Sequence, residues 1–279
     1  MRLQGTRGEP IRPRGVIRRM STSRGFELRT GLFACVGVCF SLSGCASLIS
    51  SAASGLADNL SAAVLNQNDP QTVKDGAPAY LLLLDSFLEG SPDDPALLSA
   101  AANLYASYGA VFADDDERAA RLTDKGRSYG FRAICISYDP ACDWRGMLFD
   151  TFEASLHDLS NKHADVIWSY SFASLAYIEA HSDESDAIAE VPYTEALLER
   201  YLEISDTSNG TAYAFLGILA CLIPPGFGGE PDKGMTYFER AIDMSRGRDL
   251  GAKVDYARYC ARLVYDRELH DRLLTEVLQ

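Results

Sequence analysis

Beyond residue 44 the chain has no apolar run long enough to cross a bilayer as a helix, which takes roughly 20 residues. Strand signals are almost absent as well. No segment shows a clean period-two alternation, and the Asn209-Gly210 pair precedes a helical pattern rather than joining two alternating runs. A sheet-based fold is therefore not expected. Catalytic signatures are missing too. The four histidines, His157, His163, His181 and His270, form no HExxH, and no G-x-S-x-G occurs. Glu153 and His157 lie four apart, but no third ligand is near, and Asp158 and Lys162 mark that face as solvated. Asp114 to Glu117 lacks the glycine and spaced ligands of a calcium loop. Pro224 to Pro231 is glycine-rich and precedes a helix, but Glu230 stands where a phosphate loop needs Gly-Lys-Ser/Thr. No catalytic residue, metal site or cofactor is expected, and the chain reads as a non-enzyme.

Cations are scarce. Lys and Arg number 26 against 39 Asp and Glu, a net charge of −13. Residues 1–44 hold eight of the arginines and two glutamates, so from Cys45 onward the charge falls to −19. Such a surface repels phosphate backbones, which argues against nucleic acid, and it gives no broad grip on anionic lipid.

The N-terminus supplies what the rest lacks. Basic residues including Arg24 and Arg29 precede an apolar stretch, Gly31 to Leu42, and Leu42-Ser43-Gly44-Cys45 closes it. A positive region, an apolar region and small residues at a cut make a secretory signal. A cysteine directly after the cut is a lipobox, whose thiol takes a diacylglyceryl group. The alternative is a retained membrane anchor, for which the stretch is too short. Residues 1–19 carry six arginines and two prolines, an unusual opening that also fits a true start at Met20. The expected organisation is a signal over 1–44, a lipidated tether over 45–56 and a helical domain over 57–279. Ala46, in place of an Asp after the cysteine, leans toward the outer membrane.

Of seven cysteines, Cys35 and Cys39 leave with the signal and Cys45 carries lipid. An exported compartment permits disulfides. Cys135 and Cys142 flank the Asp139-Pro140 turn, where a local bridge and free thiols both remain open. Cys221 and Cys260 lie on apolar helical faces and are expected as free buried thiols.

Helical patterns fill the remainder. A strongly apolar helix is predicted over 77–88, ended by Gly90-Ser91-Pro92. Asp94-Pro95 opens a second helix with an apolar stripe of Leu97, Ala101, Leu104, Tyr108 and Val111. The acidic run Asp114 to Glu117 opens a third, with a stripe of Ala119, Leu122, Gly126, Tyr129, Ala133 and Ile136. Further helices are predicted over 145–158, 162–181, 192–204, 211–222, 231–245, 252–266 and 268–278. Short links pair them, and small residues such as Gly109, Gly126 and Gly217 suit close approach. Pairs of about 35 residues are the mark of TPR-like solenoids, although a plain bundle shows similar stripes. The fold class is all-α. The many tyrosines suit core packing or a groove that is apolar but wet at one end. The loop Pro224-Pro225-Gly226-Phe227-Gly228-Gly229 reads as a stiff, apolar turn between helices, or as a loop that lines a cleft.

Three segments together resemble one family. They are Ile188-Ala189-Glu190-Val191-Pro192 with Ala196-Leu197-Leu198-Glu199-Arg200, the loop from Pro224 running into Tyr237-Phe238-Glu239-Arg240-Ala241-Ile242, and the tail from Asp266 to Leu278. They are similar to the T component of TRAP transporters, tripartite ATP-independent periplasmic uptake systems, over residues 75–279. The resemblance implies a TPR-like helical lipoprotein that assembles as a trimer. Its partner would be the periplasmic solute-binding protein, the P component. It also implies a hydrophobic cleft or pore that handles an apolar organic molecule. The pattern departs at His270, where the family usually has an aromatic, and the chain stops at Gln279, short of a further helical stretch that the resemblance implies. Cys45 is the expected lipid site, and Pro224, Pro225, Phe227, Gly228 and Gly229 are the expected partner or ligand contacts. A generic TPR-like scaffold for envelope assembly is the alternative.

Overall fold

Helix starts are marked by short acceptor side chains placed where the first turn has free N–H groups. In the computed structural model, which describes residues 66–207 and 209–279, Asp94 Oδ1 accepts from Ala96 N at 2.9 Å and Asp115 Oδ1 from Arg118 N at 2.7 Å. Asn209, Asp249 and Asp266 cap later helices in the same way, each side-chain oxygen satisfying a donor that the helix cannot. The expected signal, the expected lipid site Cys45 and the expected tether lie outside the described residues.

The elements are α1 (Pro70–Gly90), α2 (Pro95–Phe112), α3 (Asp116–Ser137), α4 (Phe149–Ser155), α5 (Ala164–Ala180), α6 (Ser185–Ile188), α7 (Val191–Ile204), α8 (Gly210–Leu222), α9 (Pro231–Met244), α10 (Leu250–Asp255) and α11 (Arg267–Val277). A π-helical turn, Tyr256–Ala261, continues α10, and short 3-10 turns cover Asp139–Asp143, Leu156–Asp158, Asn161–His163 and Pro225–Phe227. No strand occurs among the described residues. None of their helices is long and apolar enough to cross a membrane. The fold is all-α.

Packing follows chain order. The pair α2–α3 packs on α5, α5 on α7, α7 on α8, α8 on α9, and α8 on the π turn, which in turn meets α11. Close approach is bought by small side chains at two of these seams. A Cβ on Gly126 would lie 3.0 Å from the Ala102 carbonyl, and one on Gly217 would lie 2.6 Å from the Phe238 ring. Phe238 is fully buried and stacks on Tyr256 with centroids 5.2 Å apart. Trp168 and Phe172 of α5 stack on Phe215 of α8, each 5.4 Å away. At the other end, Asp85 of α1 accepts from Tyr105 and Lys125 at 2.7 Å and from Tyr129 at 2.8 Å, tying α1 to α2 and α3.

Four sequence expectations need correction. Helix α1 starts at Pro70, well before residue 77, and Pro78 lies inside it. Pro78 has no N–H for the carbonyl of Lys74, but the Tyr108 hydroxyl of α2 donates to that oxygen at 3.1 Å. The α2 stripe is wider than expected because α1, α3 and α5 all pack on it. Leu98, Ala102, Tyr105 and Ala106 are buried along with Ala101 and Tyr108, while Val111 faces solvent. The helix expected over 145–158 is broken. Only 149–158 is helical, and 144–148 runs as a turn with Gly146 at φ 83°. Finally, Cys221 and Cys260 are not free thiols but form a buried disulfide that joins α8 to the π turn. The two faces meet because α8 and the π turn are neighbours, a pairing that periodicity along either helix does not encode. Cys135 and Cys142 are also bridged, which pins the end of α3 to the 3-10 turn after it.

Candidate functional site

The loop after α8 is built to be stiff. Pro224 is extended, and its carbonyl accepts from Phe227 N at 2.9 Å and Gly229 N at 3.2 Å. Glu230 N closes the loop on Ala220 O at 3.0 Å. Gly228 has φ 99°, a left-handed conformation that a side chain resists. A Cβ on Gly229 would lie 1.6 Å from the Ile223 carbonyl oxygen, so no side chain fits there without moving backbone. The outcome is one large apolar side chain held out in water: Phe227 is 85% exposed.

Carboxylates surround the base of this loop. Lys233 of α9 sits 3.0 Å from Glu199 and 3.7 Å from Glu230. Tyr237 donates to Glu199 at 2.8 Å. Burial pushes the Glu195 carboxyl up to about 7, with Lys233 opposing and Glu199 and Glu230 adding to the push. One cation thus bridges Glu199 and Glu230, the residue that closes the loop, and its charge also acts on Glu195.

A cleft of about 620 Å³ lies elsewhere, between α3, α5, α7 and the 144–152 segment. Its wall is aromatic: Phe152 stands 4.9 Å from Tyr193 and 5.1 Å from Trp144, centroid to centroid. The polar atoms of these rings are satisfied on the protein side. Trp144 Nε1 donates to Ser155 Oγ at 2.9 Å, and the Tyr193 hydroxyl donates to the Met147 carbonyl at 2.9 Å. Tyr170 is buried, which pushes its hydroxyl pKa up. Arg127 pairs with Glu190, and its guanidinium lies 4.3 Å over the Tyr177 ring. Burial raises the Glu190 pKa while Arg127, and to a lesser degree Arg145, hold it down, and burial wins. Arg145 is exposed, lies 4.2 Å over the Phe131 ring, and its charge also acts on Glu190.

A shallower depression of about 950 Å³ is lined by Arg258, Arg262, Arg267, His270, Asp266 and Asp271 at the end of the chain. Glu153 and His157 are both exposed. Among the described residues no three His, Cys, Asp or Glu side chains are grouped to hold a metal ion.

Of the residues singled out from sequence, Pro224, Pro225, Phe227, Gly228 and Gly229 come together on one exposed loop. None of them lines the 620 Å³ cleft, and Cys45 lies outside the described residues. Sequence reading missed the cleft because a helix was expected across its floor. The usable signal was Trp144-Arg145-Gly146-Met147, an aromatic and a cation beside a glycine.

The family model for the TRAP transporter T-component matches residues 66–279. No curated protein matches the chain.

Proposed function

The chain belongs to the TRAP transporter T-component family, a periplasm-associated accessory part of such transporters, and from that premise we propose that it docks the solute-binding protein of the system. The observation that carries the docking surface is Phe227, presented 85% exposed on a stiff loop whose closing residue, Glu230, shares Lys233 with Glu199. An apolar anchor with a charged rim is how specific interfaces are commonly built. The acidic rim and the negative charge of the whole chain steer a partner whose matching face is basic.

In this reading residues 1–44 are a signal that is removed, and Cys45 carries the lipid that tethers the protein through residues 45–56. The membrane is the outer one, and three copies assemble with TPR-like stacking of the helix pairs. The order of packing, each pair against the next, supports that stacking. The aromatic cleft handles an apolar organic molecule on its way to or from the solute-binding protein.

The test is a pull-down from periplasmic extract, with the full chain carrying Cys45→Ala as bait and mass spectrometry of what is retained. Recovery of a TRAP-type solute-binding protein is expected. Recovery of envelope-assembly factors alone, or of nothing, would count against docking.

A further inference from the structure

We propose that the depression beside Tyr265 docks a partner protein through a short segment rich in Asp and Glu. Tyr265 is the aromatic anchor, and Arg258 and Arg262 hold the carboxylates. The proposal does not rest on the docking reading above, whose surface is acidic.

The first argument is a backbone that works against its own side chain. The helical segment that includes the π turn ends in a left-handed residue. Asp266 N donates to Ala261 O at 2.9 Å, Tyr265 N donates to Arg262 O at 3.2 Å, and Tyr265 sits at φ 60°. Glycine is the usual occupant of that position, because a Cβ crowds the backbone there. Arg246 ends α9 with φ 55°, but a cation gains from the dipole at a helix C-terminus. Tyr265 has no such compensation. It is 93% exposed, and among the described residues its ring packs on no other ring and its hydroxyl bonds to no partner. A disfavoured conformation kept for a side chain that the fold does not use points to a use outside the fold.

The second argument is charge. Residues 66–245 hold 11 Lys and Arg against 30 Asp and Glu, whereas residues 246–279 hold seven against six. Three of those seven, Arg258, Arg262 and Arg267, line the depression with Tyr265. Its two acids are engaged already. Asp266 Oδ1 accepts from Leu269 N at 2.9 Å, and Asp271 is shared by Arg267 at 3.4 Å and His270 at 3.0 Å. Arg258 lies 5.0 Å over the Tyr259 ring, and its charge acts on Glu179 and Asp255. Arg262 is exposed and pairs with no described carboxylate. The Cys221–Cys260 disulfide ties the turn between these two arginines to α8, so the face is held in place before anything binds.

The third argument is the occupant. Tyrosine and arginine are the residues that most often carry interface energy, and an arginine fork matches a carboxylate. The acidic remainder of the chain restricts what can approach. A bilayer surface or a nucleic acid brings extended negative charge against it and is repelled. A short acidic segment enters the depression alone, and charges farther off than about 8 Å are largely screened from it at physiological salt.

The experiment places the photo-crosslinker p-benzoylphenylalanine at position 265 of the full chain in intact cells and maps the crosslinked peptide by mass spectrometry. The captured segment is expected to belong to another protein and to hold a clear excess of Asp and Glu over Lys and Arg. A synthetic peptide of that segment is expected to bind the purified chain with Cys45→Ala and to weaken as salt is raised. Arg262→Glu is expected to weaken it about tenfold or more, with unchanged circular dichroism. Tyr265→Gly is expected to weaken it about tenfold while raising the melting temperature by about 2–4 °C. Phe227→Ala is expected to leave the peptide's affinity unchanged, which separates this face from the docking loop. No crosslink, or crosslinks only to lipid, to nucleic acid, to basic segments or to another copy of this chain, would overturn the proposal. So would an affinity unchanged in Arg262→Glu, or a lower melting temperature in Tyr265→Gly, which would show that the tyrosine serves the fold.

Discussion

Gly234 of α9 faces Cys221 of α8 so closely that a Cβ there would lie 2.5 Å from the Cys221 sulfur and 3.1 Å from the Gly217 carbonyl oxygen. The bare backbone at Gly234 makes room for the disulfide to Cys260. An alanine gains up to about 1 kcal/mol of helix propensity, but overpacking costs about 1–3 kcal/mol. The crowded atoms are a bridged sulfur and a backbone oxygen, which cannot swing away. Gly234→Ala is therefore expected to lower stability in urea titrations. In a Cys221→Ala/Cys260→Ala background the same change is expected to be neutral or stabilising. A cost that persists there would show that the sulfur is not the obstacle.

The two disulfides are expected to differ in worth. Cys221–Cys260 closes a separation of 39 residues and Cys135–Cys142 one of 7. Loop-closure entropy then gives roughly 4 against roughly 2.5 kcal/mol. Paired Cys→Ala variants measured by chemical denaturation under oxidising conditions check the order. A larger loss from the short bridge would contradict it.

Glu195 makes stability depend on pH. Its folded pKa is raised to about 7 from the ordinary 4.5, chiefly by burial. Between those values the folded state holds a proton that the unfolded state releases, so stability falls as pH rises from 4.5 to 7 and stays reduced above. Melting temperatures from pH 5 to pH 8 are expected to fall more steeply in the unaltered chain than in Glu195→Gln. Parallel curves would show that this carboxyl does not hold its proton.

Tyr108 stands in for the hydrogen bond that Pro78 cannot give to Lys74. Removing the hydroxyl leaves that carbonyl short of a donor, at about 0.5–1.5 kcal/mol. Tyr108→Phe is expected to lose that amount in the unaltered chain. In a Pro78→Ala background, where the N–H returns, the loss is expected to shrink. A double-mutant cycle with no coupling would break the link.

The loop carries the docking reading. Phe227→Ala is expected to weaken retention of the solute-binding protein about tenfold or more, as a truncated anchor does. Gly228→Val/Gly229→Val is expected to weaken it too, through loss of the turn, with helicity largely intact by circular dichroism. Undiminished retention in both variants would remove the loop from the interface.

The sequence by itself determined the helices, most of their ends, the loop and the family. Each rests on short-range physics or on a continuous motif. Asp94, Asp115 and Asp266 cap first turns within three residues of themselves, and Gly228 and Gly229 lie in a turn whose bonds to the Pro224 carbonyl fall within six residues. Only the tertiary structure decided the rest. The pairing of Cys221 with Cys260, the start of α1 beyond its internal proline, the wide buried face of α2 and the cleft beside Trp144 all depend on which helix becomes a neighbour. Tyr108 reaches Lys74 across 34 residues, and Tyr193 reaches Met147 across 46. Neither contact leaves a periodic trace, because a residue's pattern along its own helix says which face is apolar and not what will cover it.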